Sequence, residues 1–249
     1  MEHYKSIIAY DGSDFAGYQR QVSDLRTVQG VIEQSLRNLG WHGETIMAAG
    51  RTDAGVHAKG QVISYDMAWT RGSDVLTRAF NSQLPGDVAV WNTEPAPLDF
   101  HPRFSAVSRH YRYSLLELPH RDPLRERYAW RVRPGLDIDA MAAVADLMTG
   151  SHDFAAFGSA PNPNGHTVRQ VRRAQWHSTE ERYTFEIEAD AFLYHMVRRL
   201  VAAMVAVGSG RETEDRIASL LDDPKARWQG AIAPASGLCL EAVNYESLN

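Results

Sequence analysis

The stretch Ala48-Ala49-Gly50-Arg51-Thr52-Asp53-Ala54-Gly55-Val56-His57-Ala58-Lys59-Gly60-Gln61 decides how this chain is read. Gly50, Gly55 and Gly60 punctuate it too densely for a helix, so it predicts a tight, shaped loop. It runs into Val62-Ile63-Ser64-Tyr65, which predicts a strand. Arg51 and Asp53 stand two apart, and an extended backbone puts both on one side. A guanidinium beside a carboxylate favours the ionised form. Such a group is a held anion, suited to act as a nucleophile or base and poorly suited to be a general acid at neutral pH. The same residues also fit a bare Asx turn in which Arg51 simply pairs with Asp53.

Working outward, residues 4–10 predict a strand closed by Asp11-Gly12-Ser13, and 15–21 a loop carrying aromatics and an arginine. Thr27 caps a predicted helix over 28–39, with Val28, Ile32, Leu36 and Leu39 on one face and Gly40 as its stop. Strands at 45–49 and 61–66 flank the glycine-rich loop. Ser73 caps a helix over 74–83, and 88–92 is a further strand. Pro95-Ala96-Pro97 and the loop to Pro102 mark a boundary, giving halves at 1–102 and 103–249.

In the second half, 108–118 alternates as a strand, with Tyr111, Tyr113 and Leu115 on one side, and 127–133 pairs with it. Asp139 caps a helix over 140–149. Residues 159–165, rich in Pro, Asn and Gly, read as a mobile loop. Segments 168–178 and 183–189 predict a hairpin, 192–207 the strongest helix with Gly208 as its C-cap, 214–221 a helix capped by Thr213, and 238–245 a closing strand. The expected class is α+β: two halves, each with a mainly antiparallel sheet and a couple of helices, with an active-site cleft between them.

A chain of 249 residues can bury one large core or two smaller ones. No apolar run approaches the roughly 20 residues of a membrane span. The first residues lead straight into a strand, without a signal peptide. The single cysteine, Cys239, excludes an internal disulfide and fits a reducing compartment, so a cytoplasmic location is expected. The net charge of −5 speaks against nucleic acid as a partner for the chain as a whole. Phosphate binding needs only local positive potential, however, and the basic residues do cluster: Arg20 with Arg26, Arg51 with Lys59, Arg103 with Arg109 and Arg112, Arg169 with Arg172 and Arg173, and Arg198 with Arg199. There is no P-loop, no Gly-x-Gly-x-x-Gly after a strand and no metal-ligand spacing, so no cofactor and no metal is expected.

The run Gly50-Arg51-Thr52-Asp53-Ala54-Gly55-Val56-His57-Ala58 resembles the signature of the TruA family of tRNA pseudouridine synthases. Further matches keep family order. They include Gly17-Tyr18-Gln19-Arg20-Gln21, Phe100-His101-Pro102-Arg103-Phe104-Ser105-Ala106, Tyr111-Arg112-Tyr113, Phe192-Leu193-Tyr194-His195-Met196-Val197-Arg198 and Ala233-Pro234-Ala235-Ser236-Gly237-Leu238. The resemblance implies the pseudouridine synthase fold and conversion of uridine to pseudouridine at positions 38, 39 and 40 in the anticodon stem-loop of tRNA. It also implies a homodimer that needs no small-molecule cofactor.

Asp53 matches the essential aspartate, and three roles are open to it: attack on the ribose C1′, attack on the base C6, or removal of a ribose proton. Tyr111 matches a tyrosine placed against the target base, although by its spacing alone it also fits a core strand tyrosine. Arg198 matches the family arginine. Arg51 is a further substrate contact, and Arg20 and Arg103 are candidate contacts to the RNA backbone, each of which also fits a solvated surface role. The family often has asparagine at Arg199 and glycine at Ala202. Aromatic and basic groups of 15–20 are candidates for holding displaced RNA. Two other classes compete with this reading. One is a tRNA-binding module in which Asp53 is only a turn. The other is a carboxylate nucleosidase, which lacks a second carboxylate in a comparable loop.

Overall fold

The computed structural model describes residues 1–22, 25–162 and 165–246. In chain order the elements are β1 (Glu2–Tyr10), α1 (Val28–Asn38), β2 (Met47–Ala48), β3 (His57–Met67), α2 (Ser73–Gln83), β4 (Val88–Pro95), β5 (Ala106–Glu117), β6 (Trp130–Val132), α3 (Ile138–Asp146), β7 (Gly150–Asp153), β8 (Val168–Ser178), β9 (Arg182–Ala189), α4 (Met196–Gly208), α5 (Glu214–Asp222) and β10 (Leu238–Tyr245). Mixed helices and mainly antiparallel strands make this an α+β chain. It forms two compact units, Met1–Val107 with Cys239–Asn249, and Ser108–Leu238.

In the first unit β1 lies between β4 and β3, antiparallel to both. Alternation along β1 buries Tyr4, Ser6, Ile8 and Tyr10 on one face. Helix α2 sends Phe80 edge-on to Tyr65 of β3, with ring centroids 6.2 Å apart. Thr27 caps α1 as its side-chain oxygen accepts from the Gly30 amide, and Ile32 and Leu36 are fully buried. Strand β10 runs parallel to β3, with Cys239 opposite His57 and Leu240 opposite Ala58. The sequence-based halves kept 238–245 with the second half. The register instead brings β10 back to the first, because strand pairing is a long-range choice that local pattern does not encode.

In the second unit β5, β9, β8 and β7 follow one another as antiparallel neighbours, and β6 pairs parallel to β5. Helix α4 is buried all round except at Arg198 and Arg199. Trp176 of β8 points its indole N–H at the Met204 sulfur, 3.1 Å away.

Several local expectations are corrected. Gly72, with no side-chain bond, precedes α2 in place of a Ser73 cap, and α3 is capped by Asp137 rather than Asp139. Helix α4 begins at Met196, not at 192, because His195 adopts a left-handed φ of 64° and Tyr194 bridges to Ser159. Strand β7 was not expected, and β2 is shorter than 45–49. Of the loop at 159–165, Pro163 and Asn164 lie outside the described residues. Among the described residues, no helix is long and apolar enough to cross a membrane.

Candidate active site

The loop that enters β3 is gripped by its backbone. The Thr52 carbonyl accepts from the Tyr18 amide at 3.0 Å, the Asp53 carbonyl from the Val56 amide at 3.2 Å, and the Gly50 carbonyl from the buried Gln61 amide group at 2.8 Å. Thr52 is buried, and its hydroxyl meets the Tyr10 phenol at 2.9 Å. Burial pushes that phenol up to about 12, so it stays a neutral hydrogen-bonding group.

The glycines divide the work. Gly55 sits at φ +79°, where a side chain is strained. Gly60 is already in β3, so the expected loop ends at Val56, and a Cβ there would lie 2.4 Å from the Glu241 carbonyl oxygen. Gly50 faces open space. Outside the stretch, a Cβ on Gly12 would fall 2.0 Å from the Val56 carbonyl oxygen. Gly17, at φ +105°, passes 3.3 Å from the Thr52 carbonyl oxygen by the same measure. Two glycines distant in sequence thus let the chain close over the backbone on either side of Asp53.

Around Asp53 exposure alternates: Arg51 is exposed, Thr52 buried and Asp53 half-buried. Both flanking side chains therefore face outward, as an extended backbone requires. Among the described residues, however, no ion pair forms between Arg51 and Asp53, so the expected local pairing is not made.

Residues 15–21 act as a buttress. Phe15 and Tyr18 are buried, which corrects the expectation that their rings could meet RNA. The Arg26 guanidinium lies 4.1 Å from the Phe15 ring centroid and makes a two-point bond with Asp87 at 2.6 and 2.8 Å. Arg20 binds the fully buried Glu33 carboxylate at 2.6 Å. The other Glu33 oxygen accepts from Gln29 at 2.8 Å, from the Thr45 hydroxyl at 3.2 Å and from the Ile46 amide at 3.3 Å. Glu33 thus ties α1 to the chain entering β2. The sequence reading missed it, although Gln29, Glu33 and Arg37 at four-residue spacing lie on one helix face.

Arg103 stands on an exposed turn, its guanidinium 5.7 Å from the ring centroid of Phe104.

In the second unit, Tyr111 and Tyr113 share one face of β5 but not one environment. Tyr113 is fully buried and donates to the Pro234 carbonyl at 2.7 Å. Burial pushes its phenol up, against an opposing pull from the Arg198 charge. A Cβ on Gly237 would lie 2.5 Å from the Tyr113 ring, so the segment 233–237 wraps this tyrosine closely. Tyr111 is only half-buried and meets Phe192 edge-on, with centroids 5.0 Å apart. Arg198 donates its Nε–H to the Ala233 carbonyl at 2.8 Å, and the Ala233 amide donates back to the Arg198 carbonyl. Arg199 turns to another partner, the Phe157 carbonyl at 3.5 Å.

A family model described as tRNA pseudouridine synthase matches residues 7–105 and 144–246. The tRNA pseudouridine synthase A of Moorella thermoacetica is 41% identical over 249 residues, covering 98% of this chain and 100% of its own length. That of Geobacillus kaustophilus is 41% identical over 249 residues, covering 98% and 95%. That of Halalkalibacterium halodurans is 39% identical over 234 residues, covering 93% and 88%.

Proposed function

The chain belongs to the tRNA pseudouridine synthase family, and on that premise we propose that Asp53 is the essential carboxylate with which it converts uridine to pseudouridine at positions 38, 39 and 40 of the anticodon stem-loop. The isomerisation breaks the N1–C1′ bond and forms C5–C1′. The C5 hydrogen leaves to solvent and N1 regains a proton, so redox and phosphate balance are untouched.

One observation carries the reading. The Gly50–Ala58 signature lies inside the matched region, and its backbone is bonded on both sides of a half-buried aspartate. A carboxylate fixed in this way is preorganised for C1′, for C6 or for a ribose proton.

The remaining roles are read from the resemblance and from each side chain's surroundings. Tyr111, half-buried and braced by Phe192, supplies a ring for the uracil; such stacking is worth about 1–3 kcal/mol per base. Arg198, held by Ala233, supplies a fixed cation for a carboxylate or phosphate. Exposed Arg51 contacts the flipped nucleotide or its neighbour, since base-acting enzymes must extrude their target. Arg20 and Arg103 contact the backbone. The working form is a cytoplasmic homodimer.

The test is release of tritium from tRNA labelled at uridine C5, by the wild type and by Asp53→Asn, without added cofactor. Release by the wild type and none by the variant, with fold and tRNA binding retained in both, is the expected result. Turnover by Asp53→Asn would sink the proposed role and return Asp53 to a structural turn.

A further inference from the structure

The turn at 101–105 is built to hold an aromatic ring outward. The His101 carbonyl accepts from the Ser105 amide at 2.9 Å, and the Ser105 hydroxyl accepts from the His101 amide at 3.1 Å. The His101 Nδ1 accepts from the Arg103 amide at 3.1 Å. Its ring lies against one side of Phe104, with centroids 4.4 Å apart, and the Arg103 guanidinium lies 5.7 Å from the Phe104 centroid.

Below, the turn is rooted in the first unit. The Pro102 carbonyl accepts from the Tyr245 hydroxyl at 2.8 Å, and Lys5 lies 5.5 Å from the Phe100 ring centroid. Despite this scaffolding Phe104 is 77% exposed. The hydrogen-bonded turn thus holds the ring in a defined place while leaving most of its surface open to a ligand.

We propose that Phe104, with Arg103 beside it, is a stacking platform for a base of the substrate RNA outside the target nucleotide. The inference rests on the function proposed above. The root of the turn touches β1 at His3 and Lys5, whereas the Asp53 loop hangs on Tyr10. Five residue steps of strand separate these two anchor points, Lys5 and Tyr10, by about 17 Å, and the base proposed for the platform is therefore not the target base.

The chemistry favours RNA over a second copy of the chain. A lone ring flanked by a cation and by polar His101 and Ser105 matches a base and its phosphate. It offers far less than the roughly 800 Å² per partner of a stable protein interface. Leu98, 86% exposed on the preceding turn, provides the control, because a leucine has no π face.

The experiment measures tRNA binding by filter retention at several salt concentrations, together with sedimentation, for the full chain and for Phe104→Ala, Phe104→Tyr and Leu98→Ser. Stacking predicts about ten- to a hundredfold weaker binding for Phe104→Ala. It predicts affinity near wild type for Phe104→Tyr and for Leu98→Ser, with unchanged sedimentation in all. Arg103→Ala should lower the salt slope by about one.

Binding by Phe104→Ala within twofold of the wild type overturns the inference. So does a loss that tracks dissociation into smaller species or that Leu98→Ser reproduces, since either outcome assigns the patch to protein contacts. Circular dichroism shows that the variants are folded. A wild type that binds tRNA but releases no tritium defeats the function proposed above and leaves this comparison of affinities intact.

Discussion

Asp53 and Arg198 are held in opposite ways. The loop around Asp53 is fixed through backbone: Tyr18 and Val56 amides on its carbonyls, and two glycines that let other segments close over it. None of those bonds uses the carboxylate. Arg198 is gripped through its own guanidinium, whose Nε–H is committed to Ala233 while its backbone accepts from the same residue. If Asp53 acts as proposed, this backbone grip sets the position of its carboxylate from behind. A guanidinium held through its Nε–H has its planar fork fixed in orientation. The comparison predicts that substitutions near Asp53 act through backbone space, and those near Arg198 through side-chain chemistry.

The largest effect expected is from Gly12→Ala. Its new Cβ would meet the Val56 carbonyl oxygen at 2.0 Å, and backbone must move. We expect a loss of about 3 kcal/mol or more of stability in urea unfolding, with tritium release falling in step. Gly50→Ala, inside the signature itself, faces open space and should stay within about 0.5 kcal/mol. Similar damage from both would break the argument that approach distance, rather than membership of the motif, governs this loop.

Arg198→Lys tests the other half. Lysine keeps the charge but loses the planar fork that spans Ala233 and whatever lies beyond it. Tritium release, read as kcat/KM, should fall about ten- to a hundredfold, a change of about 1.4–2.7 kcal/mol, with little change in unfolding. Tyr113→Phe is its structural counterpart. It removes the donor to the Pro234 carbonyl and should cost about 1–2 kcal/mol of stability, with turnover by the folded fraction unchanged. If instead Tyr113→Phe lowers turnover and Arg198→Lys lowers stability, the two roles are exchanged.

The parts legible in sequence were those whose cause is local. Thr27 with the apolar spacing of α1 announced a helix, and the alternation of 168–178 and 183–189 announced the β8–β9 hairpin. Legibility failed where a distant segment decided the outcome. Bridging of Tyr194 to Ser159 removes 192–195 from α4, although the apolar pattern continues through them. Parallel pairing of β10 with β3 depends on Gly60 allowing the Glu241 backbone to approach. At the site, the glycine-rich loop was readable as a tight turn. The buttress was not: nothing local marks Glu33 for burial, and burial of Phe15 and Tyr18 depends on contacts across the unit. The exposed Phe104 was equally hidden, because nothing local separates a phenylalanine that packs from one that does not.

A small effect is also expected from the clamp of Arg26 on Asp87. It supports the Asp53 loop at one remove, since the Asp87 carbonyl accepts from the Asp11 amide beside Gly12. The paired guanidinium, acting first as hydrogen-bond donor, holds the Asp87 carboxyl below its ordinary value of 3.8. A carboxylate depressed on folding stabilises the folded state fully above its unfolded value, and that stability is lost as pH falls through the folded value. Arg26→Met should therefore cost under about 1 kcal/mol near neutrality, because both groups are partly exposed. The deficit should shrink as pH drops below 3.8. What survives at the acid end belongs to the lost contact of the guanidinium with the Phe15 ring, which does not titrate. Urea midpoints for both proteins from pH 7 downward separate the two parts. A deficit of constant size would mean that Arg26 braces the loop through Phe15 alone, making this clamp another case of packing rather than charge behind Asp53.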